Sequence, residues 1–247
     1  MLDVKGKWAF ITGASRGLGY LAAAELAKRG CNLILQSRSI EHLQKAAAEF
    51  TDMGVEVNCV SCELADENAV KQMLEQIDSF GVQVDIVLNN AGLQIAYRTD
   101  YFSTPVEDYN ISFAVNTIAP ALICYHFMPR MLETSFGRIV NTTSGIALEP
   151  EQAGYSASKA ALDKITIDLG HTVNDTDVCI NLVDPGWCRT DLGGPKAPNS
   201  PESAIPGIIV GAFIDDKKSG RLFRAQEFAG MTLEEAVAHA EEIDAPY

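Results

Sequence analysis

At 247 residues and 47% hydrophobic side chains, the chain can bury a large core without disulfides or metal. No Ser/Gly-rich linker or compositional break divides it, so one domain over residues 1–247 is expected. A net charge of −14, from 33 acidic and 19 basic residues, repels phosphate backbones and anionic lipid and argues against nucleic-acid and membrane-surface partners.

Apolar runs and helical periods alternate from the start. Trp8-Ala9-Phe10-Ile11 reads as a strand, Thr12 to Gly19 as a glycine turn, and Leu18 to Arg29 as a helix stopped by Gly30. Asn32 to Gln36 is a second strand. A helix follows over Ile40 to Met53, with Leu43, Ala46, Ala47 and Phe50 on one face. Val55 to Val60 is a third strand. Asp66 caps a helix through Ser79, and Val84 to Leu88 is a fourth strand ending at Asn89-Asn90-Ala91-Gly92. A long helical region lies between Val106 and Leu132. Its most apolar part, Ile118 to Met128, is interrupted by Pro120 and His126, so no run is expected to reach membrane-spanning length. Arg138 to Thr142 is a fifth strand, Tyr155 to Val173 a long helix, and Asp177 to Val183 a sixth strand. Prolines and glycines from Pro185 to Pro206 break the next segment, which is expected to form a mobile lid over about 186–212, with a helix over Glu202 to Phe213. Arg221 to Ala225 is a last strand. Thr232 with Glu235 makes a capping box for a final helix over about 232–243. Such alternation predicts an α/β fold with a doubly wound parallel sheet (a Rossmann fold) and a ligand at the carboxyl ends of the strands.

Cysteine usage and the N-terminus point to the compartment. Only Cys59 and Cys62 form a C-x-x-C, and no second pair stands at zinc spacing. No metal site is expected, and the thiols read as reduced, in a cytoplasmic protein. Met1 to Lys7 carries no signal-peptide pattern.

Three groups of residues carry chemistry. In the turn, Gly13 permits a sharp departure from the strand. Gly17 lets backbone approach a phosphate, and Gly19 lets the helix pack closely, so the helix N-terminus is presented to an anion. Tyr155 and Lys159 stand four apart on a helix and share a face. A free tyrosine has a pKa of about 10, and a neighbouring cation favours its phenolate, so Tyr155 can exchange a proton with a carbonyl or alcohol oxygen. Ser144, just past the fifth strand, is placed to hydrogen-bond that oxygen.

Together these residues resemble the short-chain dehydrogenase/reductase family. Thr12 to Gly19 is similar to its T-G-x-x-x-G-x-G turn, Asn89 to Gly92 to its N-N-A-G motif, and Pro185-Gly186 with Thr190 to its P-G-x-x-x-T motif. Asn116, Ser144, Tyr155 and Lys159 match its catalytic tetrad. The resemblance implies hydride transfer between NAD(P) and a carbonyl or alcohol carbon. Tyr155 would be the acid/base and Lys159 would lower its pKa and hold the ribose. Ser144 would orient the substrate oxygen, and Asn116 would support a water that relays protons to Lys159. Cofactor contacts are implied at Gly13, Ser15, Arg16, Gly17, Leu18 and Gly19, at Ser37 and Arg38, and at Glu63 and Leu64. Others are implied at Asn90, Ala91 and Gly92, at Tyr155 and Lys159, and at Pro185, Gly186, Cys188 and Thr190.

Cofactor choice and substrate follow from the same comparison. The family separates NADP from NAD after the second strand, where an acidic residue would repel a 2′-phosphate. Here that position is Ser37, followed by Arg38, and Arg16 stands in the turn, so a two-arginine clamp and preference for NADP(H) over NAD(H) are expected. Leu93, Gln94, Ile146, Leu148 and Trp187 are expected to wall an apolar substrate pocket. Two departures stand out. The Ser144–Tyr155 interval is short and holds Glu149, Pro150 and Glu151. The C-terminus lacks the V-D-G-G ending, and Asp191 to Pro195 is closer to the carbonyl-reductase-like branch, which leaves a homo-oligomer, dimer or tetramer, open. The expected activity is NADPH-dependent reduction of a small hydrophobic ketone or aldehyde. The alternatives are an alcohol dehydrogenase working in the oxidative direction and a nucleotide-binding regulator or scaffold without turnover.

Overall fold

The computed structural model describes residues 1–245; the last two residues of the expected domain, Pro246 and Tyr247, lie outside them. The short apolar runs form seven strands: β1 (Trp8–Ile11), β2 (Asn32–Ser37), β3 (Val57–Ser61), β4 (Ile86–Asn89), β5 (Gly137–Thr142), β6 (Val178–Asp184) and β7 (Leu222–Arg224). They pair in parallel in the order β3-β2-β1-β4-β5-β6-β7. Helices α1 (Gly17–Lys28), α2 (Gln44–Asp52), α3 (Glu67–Ser79), α4 (Val106–Phe113), α5 (Ala119–Glu133), α6 (Ala153–Thr172) and α7 (Leu233–Glu242) connect and cover them.

Side chains alternate across a strand, and this divides the core in two. Leu33 and Leu35 pack with α1, α2 and α7 on one face, through Leu26, Phe50 and Ala236. Ile34 and Phe10 pack with α3 and α5 on the other, through Met73 and Phe127. The doubly wound sheet expected from the sequence is therefore present. Chain order reverses between β1 and β4, which opens a crevice at their carboxyl ends.

Three expectations are corrected. Glu202 to Phe213 is not a helix: only single 3-10 turns form, at Pro201–Ala204 and Val210–Ala212. Pro206 lacks an N–H and disfavours helical backbone at Ile205, which is extended (φ −92°, ψ 129°). Nor does the lid expected over about 186–212 hold as one unit. Cys188, Ala204 and the run Ile208 to Val210, with Ala212 to Ile214, belong to the main core, and of the expected lid Arg189 to Leu192 line the cleft. Finally, Val106 to Glu133 is continuously helical for 28 residues and, by length and composition, could cross a membrane. Its most apolar window is 61% buried within the domain, as befits a core helix. Pro120 does not interrupt it: it follows directly on a π-helical turn, Ala114–Ile118, where the regular hydrogen-bond ladder is already shifted.

The C-terminal helix begins as expected, with Thr232 and Glu235 exchanging capping bonds. It is tied to the sheet edge by Arg221, whose side chain is fully buried. Arg221 donates to both carboxylate oxygens of Asp216 (2.5 and 2.9 Å) and to the carbonyls of Ala240 (3.2 Å) and Lys218 (2.9 Å). Removing a buried cation's partner costs about 3–5 kcal/mol. Asp216→Ala is expected to lower stability by that amount in urea denaturation. A loss below about 1 kcal/mol would show that the carbonyls alone satisfy the guanidinium.

Candidate active site

The crevice is a cleft of about 720 Å³, within the range that holds cofactors and small ligands. Its floor is the glycine turn. Gly13 and Gly17 adopt left-handed backbone, with φ of +65° and +58°. A Cβ on Gly13 would stand 3.0 Å from Ala91 Cα, and one on Gly19 would stand 2.4 Å from the Gly13 carbonyl oxygen. The Ala91 N–H donates to Thr12 Oγ1 (3.0 Å) and Asn90 Nδ2 to the Thr12 carbonyl (3.2 Å), which fixes the loop after β4 on the turn. Helix α1 starts at Gly17 with no side-chain cap and no acidic residue in its first turn. Its leading N–H groups are therefore available to an anion, and the residues present fit a dinucleotide phosphate.

Sequence reasoning missed Gln36. Buried in an otherwise apolar strand, it accepts from the Gly13 N–H (3.0 Å) and donates to the Cys62 carbonyl (2.9 Å). One side chain thus ties the phosphate turn to the end of β3. An amide directly after the apolar run Leu33-Ile34-Leu35 was the available signal, because a buried amide requires partners. Beyond it, Ser37 is buried, with its hydroxyl donating to the Ser39 carbonyl (2.5 Å), and Arg38 is exposed on the cleft wall. Arg16 already has a partner: its Nη1 lies 2.8 Å from Asp191 Oδ2, across the cleft.

The cleft brings together most of the expected residues. Gly13, Ser15, Arg16, Gly17 and Leu18 line it with Ser37, Arg38, Glu63, Leu64, Asn90, Ala91 and Gly92, and so do Tyr155, Lys159, Pro185 and Thr190. Five others do not line it. Gly19 is buried beneath the turn, and Cys188 is buried with its thiol donating to the Pro185 carbonyl (3.3 Å). Gly186 packs against Gln226, and Ser144 stands half-buried beyond β5. Asn116 is fully buried. Of the expected substrate wall, Leu93 and Gln94 reach the cleft. Ile146, Leu148 and Trp187 do not: Leu148 is 100% exposed, and Trp187 turns outward to donate to the Gly193 carbonyl (2.7 Å).

At the opposite end from the turn, α6 carries Tyr155 and Lys159. Both are buried, and burial dominates their proton affinities. The Tyr155 phenol is pushed above its ordinary range, first by burial and further by the charge of Asp184, while a hydrogen bond with Ser144 pulls it back. Lys159 was expected to lower that pKa. Here the lowering comes from Ser144. The Lys159 ammonium donates to the Thr142 carbonyl (2.7 Å), and burial pulls its own pKa down to about 8, against an opposing effect of Asp163.

Asn116 lies in a π-helical turn, Ala114–Ile118, between α4 and α5. Its amide oxygen accepts from the Leu93 N–H (2.8 Å), and its nitrogen donates to the Leu93 carbonyl (2.8 Å) and to Ser158 Oγ (3.0 Å). Ser158 donates in turn to the Tyr155 carbonyl (2.7 Å). Both amide hydrogens are thus used, and the side chain fixes the Leu93 backbone and the Tyr155 helix. Ser158, within Tyr155-Ser156-Ala157-Ser158-Lys159, was not singled out from sequence.

Comparison with known proteins matches residues 7–200 to the short-chain dehydrogenase family. The chain is 32% identical over 222 residues to an uncharacterised oxidoreductase of Mycobacterium bovis, covering 85% of this chain and 65% of that protein. It therefore spans less than two thirds of that relative's length. It is 30% identical over 216 residues to a 3-oxoacyl-[acyl-carrier-protein] reductase of Rickettsia conorii, covering 86% of each. To a fatty acyl-CoA reductase of Acinetobacter baylyi it is 31% identical over 215 residues, covering 84% of this chain and 73% of that one. Among solved structures, a metagenomic short-chain oxidoreductase in complex with NADP superposes with a TM-score of 0.69 at 27% identity, over 75% of this chain and 84% of that one. A short chain dehydrogenase from Salmonella enterica shares the fold, with a TM-score of 0.82 at 24% identity over 92% and 98%.

The lowered Lys159 pKa has a consequence for stability. Between about 8 and the ordinary 10.5, the unfolded chain holds a proton that the folded chain has shed, so stability rises with pH through that window. Relative to Lys159→Met, the wild type is expected to gain about 2–3 kcal/mol between about pH 7 and pH 10, read from urea midpoints of both proteins. A difference independent of pH would mean that the buried ammonium keeps its ordinary pKa.

Proposed function

The chain belongs to the short-chain dehydrogenase/reductase family, and from that premise we propose that it reduces a small hydrophobic ketone or aldehyde with NADPH. The observation that carries this reading is a single cleft with the glycine turn at one end and Tyr155 and Lys159 at the other. When bound, the nicotinamide supplies the hydride. Tyr155 gives its phenolic proton to the substrate oxygen as the carbonyl carbon is reduced. Burial keeps that phenol protonated at neutral pH, which suits an acid and hence the reductive direction. Ser144, whose hydroxyl draws the phenol's pKa down, shares the substrate oxygen as charge develops on it. Lys159, still largely protonated near neutral pH, stabilises the phenolate left behind. The segment that carries Arg189 to Leu192, which line the cleft, serves as the lid.

NADPH is favoured over NADH on electrostatic grounds. No carboxylate stands at Ser37 to repel a 2′-phosphate, and Arg38 and Arg16 flank that end of the cleft. Arg16 must leave Asp191 to engage the phosphate. Both partners of that pair are about two-thirds exposed, and such pairs contribute roughly 0.2–1 kcal/mol, whereas a hydrogen bond to a charged group contributes about 1.5–3. The exchange therefore favours the phosphate.

Tyr155→Phe is expected to lower kcat by at least about 100-fold while NADPH still binds, followed by NADPH absorbance and by fluorescence titration. Near-normal turnover in that variant would remove Tyr155 from the acid/base role. For the clamp, Arg38→Ala is expected to weaken NADPH by about tenfold with little change for NADH. Asp191→Asn is expected to tighten NADPH by up to about fivefold, and to do nothing once Arg16 is alanine. Equal effects on both cofactors would show that neither arginine reads the phosphate.

A further inference from the structure

Two carboxyl groups beside Tyr155 and Lys159 have no part in the proposed reaction. Asp163 stands on α6 one turn beyond Lys159, as Lys159 stands one turn beyond Tyr155, so the three share one face of the helix. Asp184 ends β6. Its Oδ1 accepts from the Gly186 N–H (2.9 Å), and a Cβ on Gly145 would stand 2.7 Å from its Oδ2. Asp184 is thus held against the loops that follow β5 and β6, and its charge bears on Tyr155 and on Asp163. Asp163 is anchored less well: its Oδ1 is buried without a hydrogen-bond partner among the described residues.

Lys159 is short of partners in the same place. Its ammonium is buried and carries three donors, of which one reaches the Thr142 carbonyl (2.7 Å). A buried cation with a single neutral acceptor is costly, and so is a buried carboxylate oxygen with none. One helical turn apart, about 5–6 Å between Cβ atoms, each offsets the other's cost. The helix is pinned at its start, where Gln152 Nε2 donates to the Ile95 carbonyl (2.9 Å) and the Arg98 N–H to the Glu151 carbonyl (3.1 Å). It is pinned again at Ser158, whose carbonyl accepts from Thr117 Oγ1 (2.7 Å). The groups that face this stretch from the π-helical turn and from the end of β5 are neutral: Asn116, Thr117, Thr142 and Thr143. Proton affinities agree in sign with that geometry. Burial pulls the Lys159 ammonium down to about 8, and Asp163 is the charge that opposes it. Burial pushes the Asp163 carboxyl above its ordinary range, the Thr143 hydroxyl and Lys159 draw it back, and Asp184 adds to the rise.

We propose that Asp163 is a positioning residue: its carboxylate is the counter-charge that keeps Lys159 an ammonium in the dry part of the site. The proposal rests on the reading of Lys159 as the cation beside the Tyr155 phenolate. A neutral lysine there supplies no such stabilisation, so Asp163 sets the upper pH limit of the arrangement. It acts through Lys159 and across space, not by a hydrogen bond to it. Asp184 cannot take the same part, because its charge bears on Tyr155 and opposes the phenolate.

The test reads Lys159 itself and needs no turnover, so its failure is distinct from failure of the carbonyl-reductase reading. The full chain is prepared with isotope-labelled lysine and aspartate. The Lys159 Cε resonance, identified by its loss in Lys159→Met, is followed by NMR against pH. A midpoint of about 8 is expected in the wild type. In Asp163→Asn, which keeps the size of the side chain but not its charge, the midpoint is expected to fall by about 1 pH unit or more. Asp184→Asn is expected to leave it nearly unchanged. A midpoint that does not fall in Asp163→Asn, or that falls equally in both variants, would overturn the proposal. The wild type gives a second reading that needs no variant of Asp163. The Asp163 carboxyl carbon is expected to shift a second time at the Lys159 midpoint, because the neighbouring charge then disappears. Silence of that carbon there would overturn the proposal, whether or not Asp163→Asn folds.

Discussion

Everything in the cleft depends on how closely the turn after β1 can approach the loop after β4. A Cβ on Gly19 would lie 2.4 Å from the Gly13 carbonyl oxygen and 2.5 Å from Asn90 Nδ2, both inside van der Waals contact. With hydrogen there instead, Thr12, Asn90 and Ala91 exchange hydrogen bonds, and the first turn of α1 is aimed into the crevice. The switch in strand order creates the crevice, and this contact determines its shape at the anion end. Gln36 extends the same rigid unit to the end of β3.

Burial governs the other end. Tyr155 and Lys159 are held in a dry part of the fold, and dryness moves their proton affinities apart, the phenol above its ordinary 10 and the ammonium down to about 8. The phenol therefore holds its proton firmly, beside an ammonium that is more acidic than an ordinary lysine. The covalent spacing of the pair on α6 is only part of that arrangement. The π-helical turn supplies another part, because Asn116 bonds to Ser158 and so fixes α6 against the neighbouring helix.

The doubly wound sheet and the glycine turn were legible in the sequence because their signals are local: short apolar runs, a stop at Gly30, caps at Asp66 and Thr232. Tyr155 and Lys159 were legible for the same reason, being one helical turn apart. The misreadings came from tertiary context. Glu202 to Phe213 has helical composition, yet Pro206 stops the helix and the core claims Ile208 to Val210 in irregular backbone. Trp187 and Leu148 looked like pocket walls because they are apolar and near the motifs, but a turn geometry points each outward, Leu148 with φ of +61°. Gln36 and Ser158 escaped notice because their partners are far away in sequence, and single-chain periodicity carries no information about them. The Arg16–Asp191 pair escaped for that reason too, although each residue was noticed separately.

Residues 93–104, of which Leu93 and Gln94 reach the cleft, are bonded to residues 144–152 through Arg98 to Glu151 and Gln152 to Ile95. The cofactor floor, by contrast, is anchored in strands. A ligand-facing unit closed on itself in this way behaves as a cassette. Its two halves must change together, since grafting one loop alone would strand a buried Gln152 amide without its acceptor. Replaced as a pair, they can diverge from one homologue to another while the cofactor-reading floor stays the same. Changes here are therefore inherited in a block of two loops rather than residue by residue.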